Sequence, residues 1–159
     1  MRKSAETPGA LETSAALIRG GTPTWIPSAG LSMGSAFAGV EAVLVRRIEP
    51  EHVRTGMIVV YARHGIWVAH RVVGVLGSGP ELRFMMKGDG VSAYDNPNVE
   101  ASECVGAVIG LEGNGVRRML GQWDRALGRL KAVAGVLRVT LSGRLRSHPC
   151  RRLRHDDRA

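Results

Sequence analysis

Short apolar runs separated by polar, glycine-containing segments dominate the middle of the chain. The runs are rich in β-branched residues, which is typical of antiparallel strands. His64-Gly65 separates two of them and therefore predicts a hairpin. The expected strands are residues 42–45, 57–61, 66–75, 82–86 and 104–111.

The hydrophobic period changes towards both ends of the chain. From residue 116 to residue 141 apolar residues recur at three- and four-residue steps, which predicts an amphipathic helix with Arg and Lys on its other face. Residues 11–19 predict a short helix that ends at Gly20-Gly21. The segment 142–159 is too charged to pack, so we expect it to be disordered.

The pattern therefore predicts a mainly β fold with a partly open antiparallel sheet and a helix at each end. We divide the chain into an N-terminal helix and arm (1–21), a β domain (22–115), an amphipathic basic helix (116–141) and a disordered basic tail (142–159). A chain of 159 residues has room for one such domain.

The charge of the chain is concentrated at its C-terminal end. The net charge is +8, but residues 116–159 hold twelve Lys or Arg and three Asp or Glu, a balance of +9. The β domain is therefore nearly neutral, and a specific nucleic-acid surface on it is not expected. Contact with an anionic membrane or with nucleic acid would involve the basic helix, whose alternative is to dock its apolar stripe on the β domain.

Neither a signal peptide nor a membrane-spanning helix is expected. The longest uncharged stretch, residues 20–40, has twelve Gly, Pro, Ser or Thr among its 21 residues. Cys104 and Cys150 lie far apart, which favours a reducing, cytoplasmic location. The candidate metal ligands are His148, Cys150 and His155. They lack standard zinc spacing, so a metal site is not expected. No cofactor is predicted.

Three positions carry residue types suited to acyl-transfer chemistry. Ser32 lies between Gly30 and Gly34, where a sharp turn would expose its hydroxyl, although a Gly-Ser loop also supplies ordinary serines. His70 lies on an expected strand, where its alternative is a core-edge histidine bonded to backbone. Asp95 follows in a loop whose acids could equally cap backbone amides.

In order and spacing, these pieces resemble the type I signal peptidase superfamily, which includes the LexA-type self-cleaving repressors. The resemblance covers about residues 22–111 and is nearest to the archaeal and endoplasmic-reticulum branch, which has His-Arg-Val and Lys-Gly-Asp. The motifs that carry it are Gly-Leu-Ser-Met (30–33), Arg-Thr-Gly-Met-Ile-Val-Val-Tyr (54–61), Ala-His-Arg-Val-Val (69–73), Phe-Met-Met-Lys-Gly-Asp (84–89), Asp-Asn-Pro-Asn-Val (95–99) and Val-Gly-Ala-Val (105–108).

The resemblance implies an open β fold with a peptide-binding groove and a serine endopeptidase activity on a peptide or protein substrate. It places the nucleophile at Ser32, the general base at His70 and the supporting acid at Asp95. A neutral imidazole can accept the serine proton near pH 7, and an acid can orient the imidazole. Residues expected to support the site are Gly30, Met33, Arg71, Lys87 and Asp89, with Lys87 as the rival base.

The chain departs from the family pattern at several positions. Ser35 stands where proline is usual, Gly30 stands where bacterial signal peptidases have a serine, Val40-Glu41 replaces Gly-Asp, and no membrane anchor is evident. These departures leave alternatives open: a catalytically weak or inactive peptide-binding module, or a self-cleaving repressor-like protein. The resemblance implies an extended peptide substrate with small residues next to the cut.

Overall fold

The structure, a computed structural model, describes residues 8–145. Helix α1 (Pro8–Arg19) precedes the sheet and helix α2 (Gln122–Leu145) follows it. The fold is mainly β, as the sequence predicts, with eight strands in one open antiparallel sheet. The strands are β1 (Thr24–Pro27), β2 (Ala42–Arg46), β3 (Ile58–Arg63), β4 (Ile66–Leu76), β5 (Arg83–Lys87), β6 (Val99–Glu100), β7 (Cys104–Gly113) and β8 (Val116–Met119).

The sheet has the order β1-β2-β7-β3-β4-β5-β6, and β8 pairs with the end of β7. The expected hairpin is confirmed: β3 and β4 pair along their length, and His64 and Gly65 both have positive φ. Consecutive residues with positive φ turn the chain with the twist that two adjacent strands require. All five expected strands are present, with bounds that shift by one or two residues.

The helix expected at residues 116–141 is wrong at its start. Asn114 and Gly115 have positive φ and form a second tight turn, so the chain returns along β7 as β8 before the helix begins at Gln122. At its other end α2 continues to Leu145, so the tail expected from residue 142 is wrong for its first four residues. Residues 146–159, with His148, Cys150 and His155, lie outside the described residues.

Two apolar clusters lie on opposite faces of the sheet, because successive side chains of a strand alternate between faces. One cluster includes Val59, Tyr61 and Val72 and lies on the His70 side of β4. The other joins Ile18 of α1 to Met33 and Val60. No helix within residues 8–145 combines the length and the apolar character needed to cross a membrane.

Candidate active site

Ser32 lies in a tight turn between β1 and β2. The Gly34 amide donates to the Leu31 carbonyl at 2.9 Å, which leaves Ser32 and Met33 at the centre of the turn. Gly30 (φ 128°) and Gly34 (φ 51°) both have positive φ, which side chains rarely tolerate. Met33 is buried in the core and anchors the turn, so the glycines and the methionine together hold Ser32 at the surface of the sheet.

A second glycine-rich loop, which follows β5, packs directly on this turn. The Gly90 amide donates to the Ser32 carbonyl at 2.8 Å. A Cβ on Gly34 would lie 2.9 Å from the Gly90 Cα, closer than side-chain carbons approach backbone. The two loops therefore cross where both lack side chains, and this crossing sets the position of Ser32 relative to the sheet.

His70 is buried in β4 and uses one of its two ring nitrogens. Its Nδ1 lies 2.7 Å from Asp95 Oδ2, within hydrogen-bond distance. The Asp95 amide donates to the Met86 carbonyl of β5 at 2.9 Å, which ties the loop that carries the carboxylate to the edge of the sheet. This arrangement favours the tautomer with its proton on Nδ1, which leaves Nε2 as the proton acceptor.

Tyr61 is a third member of this cluster. Its hydroxyl donates to the same Asp95 oxygen at 3.0 Å, and its ring meets the His70 ring edge-on at 6.3 Å between centroids. Burial and the Asp95 carboxylate raise the pKa of Tyr61 above its ordinary value of 10.0, so the phenol keeps its proton. Tyr61 therefore holds the same Asp95 oxygen as the imidazole does, without adding a charge.

The second ring nitrogen of His70 is close to the Ser32 turn. Among the described residues, His70 Nε2 is a buried polar atom without a hydrogen-bond partner. A Cβ on Gly88 would lie within 3.0 Å of both His70 Nε2 and the Ser32 carbonyl oxygen, so both atoms border the same small space. No hydrogen bond between Ser32 Oγ and His70 occurs in residues 8–145. The structure thus brings the backbone of Ser32 to the free nitrogen of His70.

Arg71 and Asp89 form a separate pair on the other face of β4. Arg71 Nε and Nη2 donate to the two Asp89 oxygens at 2.8 and 2.7 Å, and Nη1 donates to the Gly56 carbonyl at 2.7 Å. Lys131 of α2 lies 3.8 Å from the same carboxylate. Asp89 thus holds the 87–90 loop to β4 and α2, and Asp95 alone of the two acids contacts His70.

Lys87, the rival base, is directed away from His70. It lies opposite Arg71 in the register of β4 and β5, and directly opposed residues project from the same face. Its Nζ donates to the Gly88 carbonyl at 3.1 Å, and its side chain passes under α2 near Gly135. Lys87, Asp89 and Lys131 line a cavity of about 330 Å³ beneath α2 that does not include His70.

Sequence reasoning named Ser32, His70 and Asp95 as candidates but missed the residues that position them. Tyr61 ends an expected strand and the 54–61 motif but has no assigned role from the sequence. Its place two residues from Val59, the β3 partner of His70, puts both rings on one face. The glycines at 34, 88 and 90 were not recognised as a crossing of two loops. The sequence shows closely spaced glycines in both segments. It does not show that the two segments contact each other, which depends on the tertiary structure.

The sequence matches none of the protein-family models, and none of the curated proteins, with which it was compared. The catalytic roles of Ser32, His70 and Asp95 therefore depend on the chemistry of the site and on the resemblance of the motifs.

Proposed function

We propose that this protein is a serine endopeptidase of the signal peptidase type, with Ser32 as nucleophile, His70 as general base and Asp95 as the acid that orients the base. The observation that carries the proposal is the state of His70. Its Nδ1 is held by Asp95, while its buried Nε2 has no hydrogen-bond partner among the described residues and borders the Ser32 turn. Buried polar atoms are seldom left without a partner unless they serve a function.

In the proposed mechanism, Ser32 Oγ attacks the peptide carbonyl carbon while His70 Nε2 takes the hydroxyl proton. Asp95 stabilises the imidazolium, and His70 then gives the proton to the leaving amine. The Ser32 N–H makes no hydrogen bond within residues 8–145, which suits an oxyanion donor. Water hydrolyses the resulting acyl-enzyme by the same path, with His70 again accepting the proton.

The edge of β4 offers a place for an extended substrate. Within the described chain, residues 66–70 of β4 pair with β3 alone, because β5 begins its pairing at Arg71. The edge of residues 66–70 that faces away from β3 ends at His70. A peptide that paired with this edge as an added strand, through main-chain hydrogen bonds, would extend to the candidate site. The family pattern adds small residues next to the cut.

A second candidate function is a peptide-binding module without catalysis. It is favoured by the absence, among the described contacts, of a hydrogen bond from Ser32 Oγ to His70, and by Ser35 in place of the usual proline. Apo sites often have long catalytic contacts that tighten when substrate binds, so we place this candidate second. For either function we propose the cytoplasm as the compartment, in keeping with the thiol of Cys104, which forms no disulfide within residues 8–145. Burial raises the pKa of this thiol to about 11.

A fluorophosphonate probe distinguishes the two candidates. The proposed enzyme forms a covalent adduct at Ser32, and Ser32→Ala abolishes it. Ser35→Ala is the matched control, since Ser35 is an exposed serine of the same segment and is expected to leave labelling intact. A folded protein that binds Ala-rich peptides but is not labelled, or that is labelled equally after Ser32→Ala, would overturn the proposal.

A further inference from the structure

Helix α2 docks on the sheet through its smallest residues. A Cβ on Gly128 would lie 2.7 Å from Arg71 Nη1, and a Cβ on Gly135 would contact the Lys87 side chain. Ala132 lies between them along this side of the helix and is 1% exposed. These three positions are four and three residues apart and therefore form one face. The face of α2 towards the protein is thus made of two glycines and an alanine.

The large apolar residues of α2 lie on the side away from the sheet. Residues of an α-helix advance by about 100° each, so positions 130, 133 and 137 lie nearly opposite positions 128, 132 and 135. Leu130 is 68% exposed, and Val133 and Leu137 are each 58% exposed. Leu127, at the border of this face, is 53% exposed. The alternative that the apolar stripe docks on the β domain is therefore wrong for Leu130, Val133 and Leu137. Leu127 also borders the cavity between α2 and the sheet. We call these four residues the outer stripe.

Basic positions flank the outer stripe. On the helix, position 129 lies on one side of the stripe, and positions 131 and 138 lie on the other; all three are Arg or Lys. Arg129 is exposed, while Lys131 reaches back to Asp89. An apolar face with cationic flanks is the arrangement by which helices lie in the headgroup region of anionic bilayers. The chain from residue 116 has a balance of +9, which adds long-range attraction to such a surface.

A second copy of the chain is a poorer partner for the same stripe. Two outer stripes in contact would bring together two segments of the same strong positive charge, and like charges across an interface are unfavourable. The four residues also extend over only about 15 Å of helix, which is short for a dimer interface but sufficient for shallow insertion. Charge and size both favour the bilayer.

We propose that the outer stripe of α2 docks the protein on the surface of an anionic bilayer, with the helix parallel to the membrane plane. The docked helix contacts the 87–90 loop through Lys131 and Gly135, and that loop crosses the Ser32 turn. Docking therefore holds the candidate active site close to the membrane. The proposal does not depend on catalysis, because it rests on the exposed face of α2.

Co-sedimentation of the full chain with vesicles tests this proposal. We expect binding to vesicles of equal parts phosphatidylcholine and phosphatidylglycerol, weaker binding to phosphatidylcholine alone, and a loss of affinity as salt rises. Replacing Leu130 and Leu137 by Ala removes apolar contact without a change of charge and should weaken binding by about tenfold or more. In the matched control, Val116 and Ile66 are replaced by Ala; these residues are 66% and 60% exposed on the sheet. This variant should bind vesicles as the unchanged protein does.

Three outcomes would overturn the proposal. One is unchanged vesicle binding after Leu130→Ala with Leu137→Ala, while circular dichroism shows intact secondary structure. Another is a dimer in sedimentation velocity that the same double variant converts to a monomer, which would assign the stripe to a second copy. The third is binding to polyuridylate RNA that outcompetes anionic vesicles and survives the double variant.

Discussion

His70 and Arg71 are neighbours in β4, yet they lie in two differently built clusters. Each is buried, each projects from its own face of the sheet, and each contacts one aspartate of the segment that follows β5. Arg71 makes three hydrogen bonds at 2.7–2.8 Å to Asp89 and the Gly56 carbonyl. His70 makes one at 2.7 Å to Asp95, and its Nε2 has no hydrogen-bond partner among the described residues.

The two pairs differ in what they leave available: Arg71 is held by three hydrogen bonds, whereas His70 keeps one ring nitrogen without a partner among the described residues. A guanidinium held by three hydrogen bonds holds elements together and keeps its proton near neutral pH. An imidazole with one nitrogen held and the other without a partner is suited to accept a proton. The same stretch of loop therefore places two carboxylates on opposite faces of β4, Asp95 against an imidazole and Asp89 against a guanidinium.

The largest effect is expected at Asp95. Asp95→Asn removes the charge that stabilises an imidazolium and favours the wrong tautomer, so the rate of Ser32 labelling should fall by about 10³-fold or more. Labelling is followed with a fluorophosphonate over time. The same change at the other acid, Asp89→Asn, is the matched control and should leave the labelling rate of the folded protein within about tenfold. A larger loss for Asp89→Asn than for Asp95→Asn would reverse the two roles.

Arg71 should affect stability more than activity. Arg71→Ala leaves the Asp89 carboxylate without its buried partner, and such a loss costs about 3–5 kcal/mol of unfolding free energy. Urea unfolding of Arg71→Ala measures this cost. The control Arg83→Ala removes a long 3.9 Å contact between exposed side chains and should cost less than about 1 kcal/mol. Equal stability of the two variants would contradict a structural role for the Arg71 pair.

Gly88 tests the junction between the two clusters. In Gly88→Ala the new methyl would lie 2.9 Å from the Ser32 carbonyl carbon and 3.0 Å from His70 Nε2, so the Ser32 turn must shift. We expect the free energy of unfolding to fall by about 1–3 kcal/mol. We also expect the labelling rate to fall by more than the loss of folded protein alone would explain. Gly9→Ala, where a methyl meets nothing within 4 Å, is the control. Normal labelling of a stable Gly88→Ala protein would show that Ser32 does not depend on this contact.

The smallest effect concerns the support of Tyr61 and is visible in acid. Arg63 lies over the Tyr61 ring and donates to both oxygens of Glu103, and this hydrogen bonding lowers the pKa of Glu103 below its ordinary value of 4.5. A lowered folded-state pKa means that the pair stabilises the protein above about pH 4.5 and that this stability is lost as pH falls through the folded-state pKa.

Thermal unfolding between pH 3 and pH 6 checks this effect. Glu103→Gln should flatten the decline of the unfolding temperature below about pH 4.5, while Glu81→Gln, at an exposed site, should leave it unchanged. An identical acid decline in Glu103→Gln and in the unchanged protein would remove Glu103 from this account.

Local pattern was sufficient for most of the sheet and failed at its C-terminal end. Residues 66–75 are a mostly apolar run rich in β-branched residues that follows a two-residue turn, and they form β4 as expected. Val116–Met119 resembles the start of the helix in composition but forms β8, because the Asn114-Gly115 turn directs it along β7. The helical period was correct from Gln122 onward. The turn signal was present in the sequence, and it outweighed the helical period at these four residues.

The candidate site follows the same division. Residue chemistry and motif order selected Ser32, His70 and Asp95 from the sequence. The assignment of Asp95 to His70 and of Asp89 to Arg71 required the fold, because a six-residue separation within a loop does not determine which face of β4 each carboxylate reaches. Tyr61 needed the pairing of β3 with β4 before its hydroxyl could be linked to Asp95.

The sequence by itself determined the strand-rich class, the central hairpin, the chemical types at the site and the amphipathic period of α2, since these depend on neighbours along the chain. Only the tertiary structure decided which side of α2 faces the protein. Gly128, Ala132 and Gly135 allow the helix backbone to approach Arg71 and Lys87 closely, whereas the larger side chains of the outer stripe would hold it away. The close packing of small residues against the sheet therefore prevailed over burial of the apolar stripe. The helical period of the sequence marks both faces of α2 but does not show which of them contacts the protein.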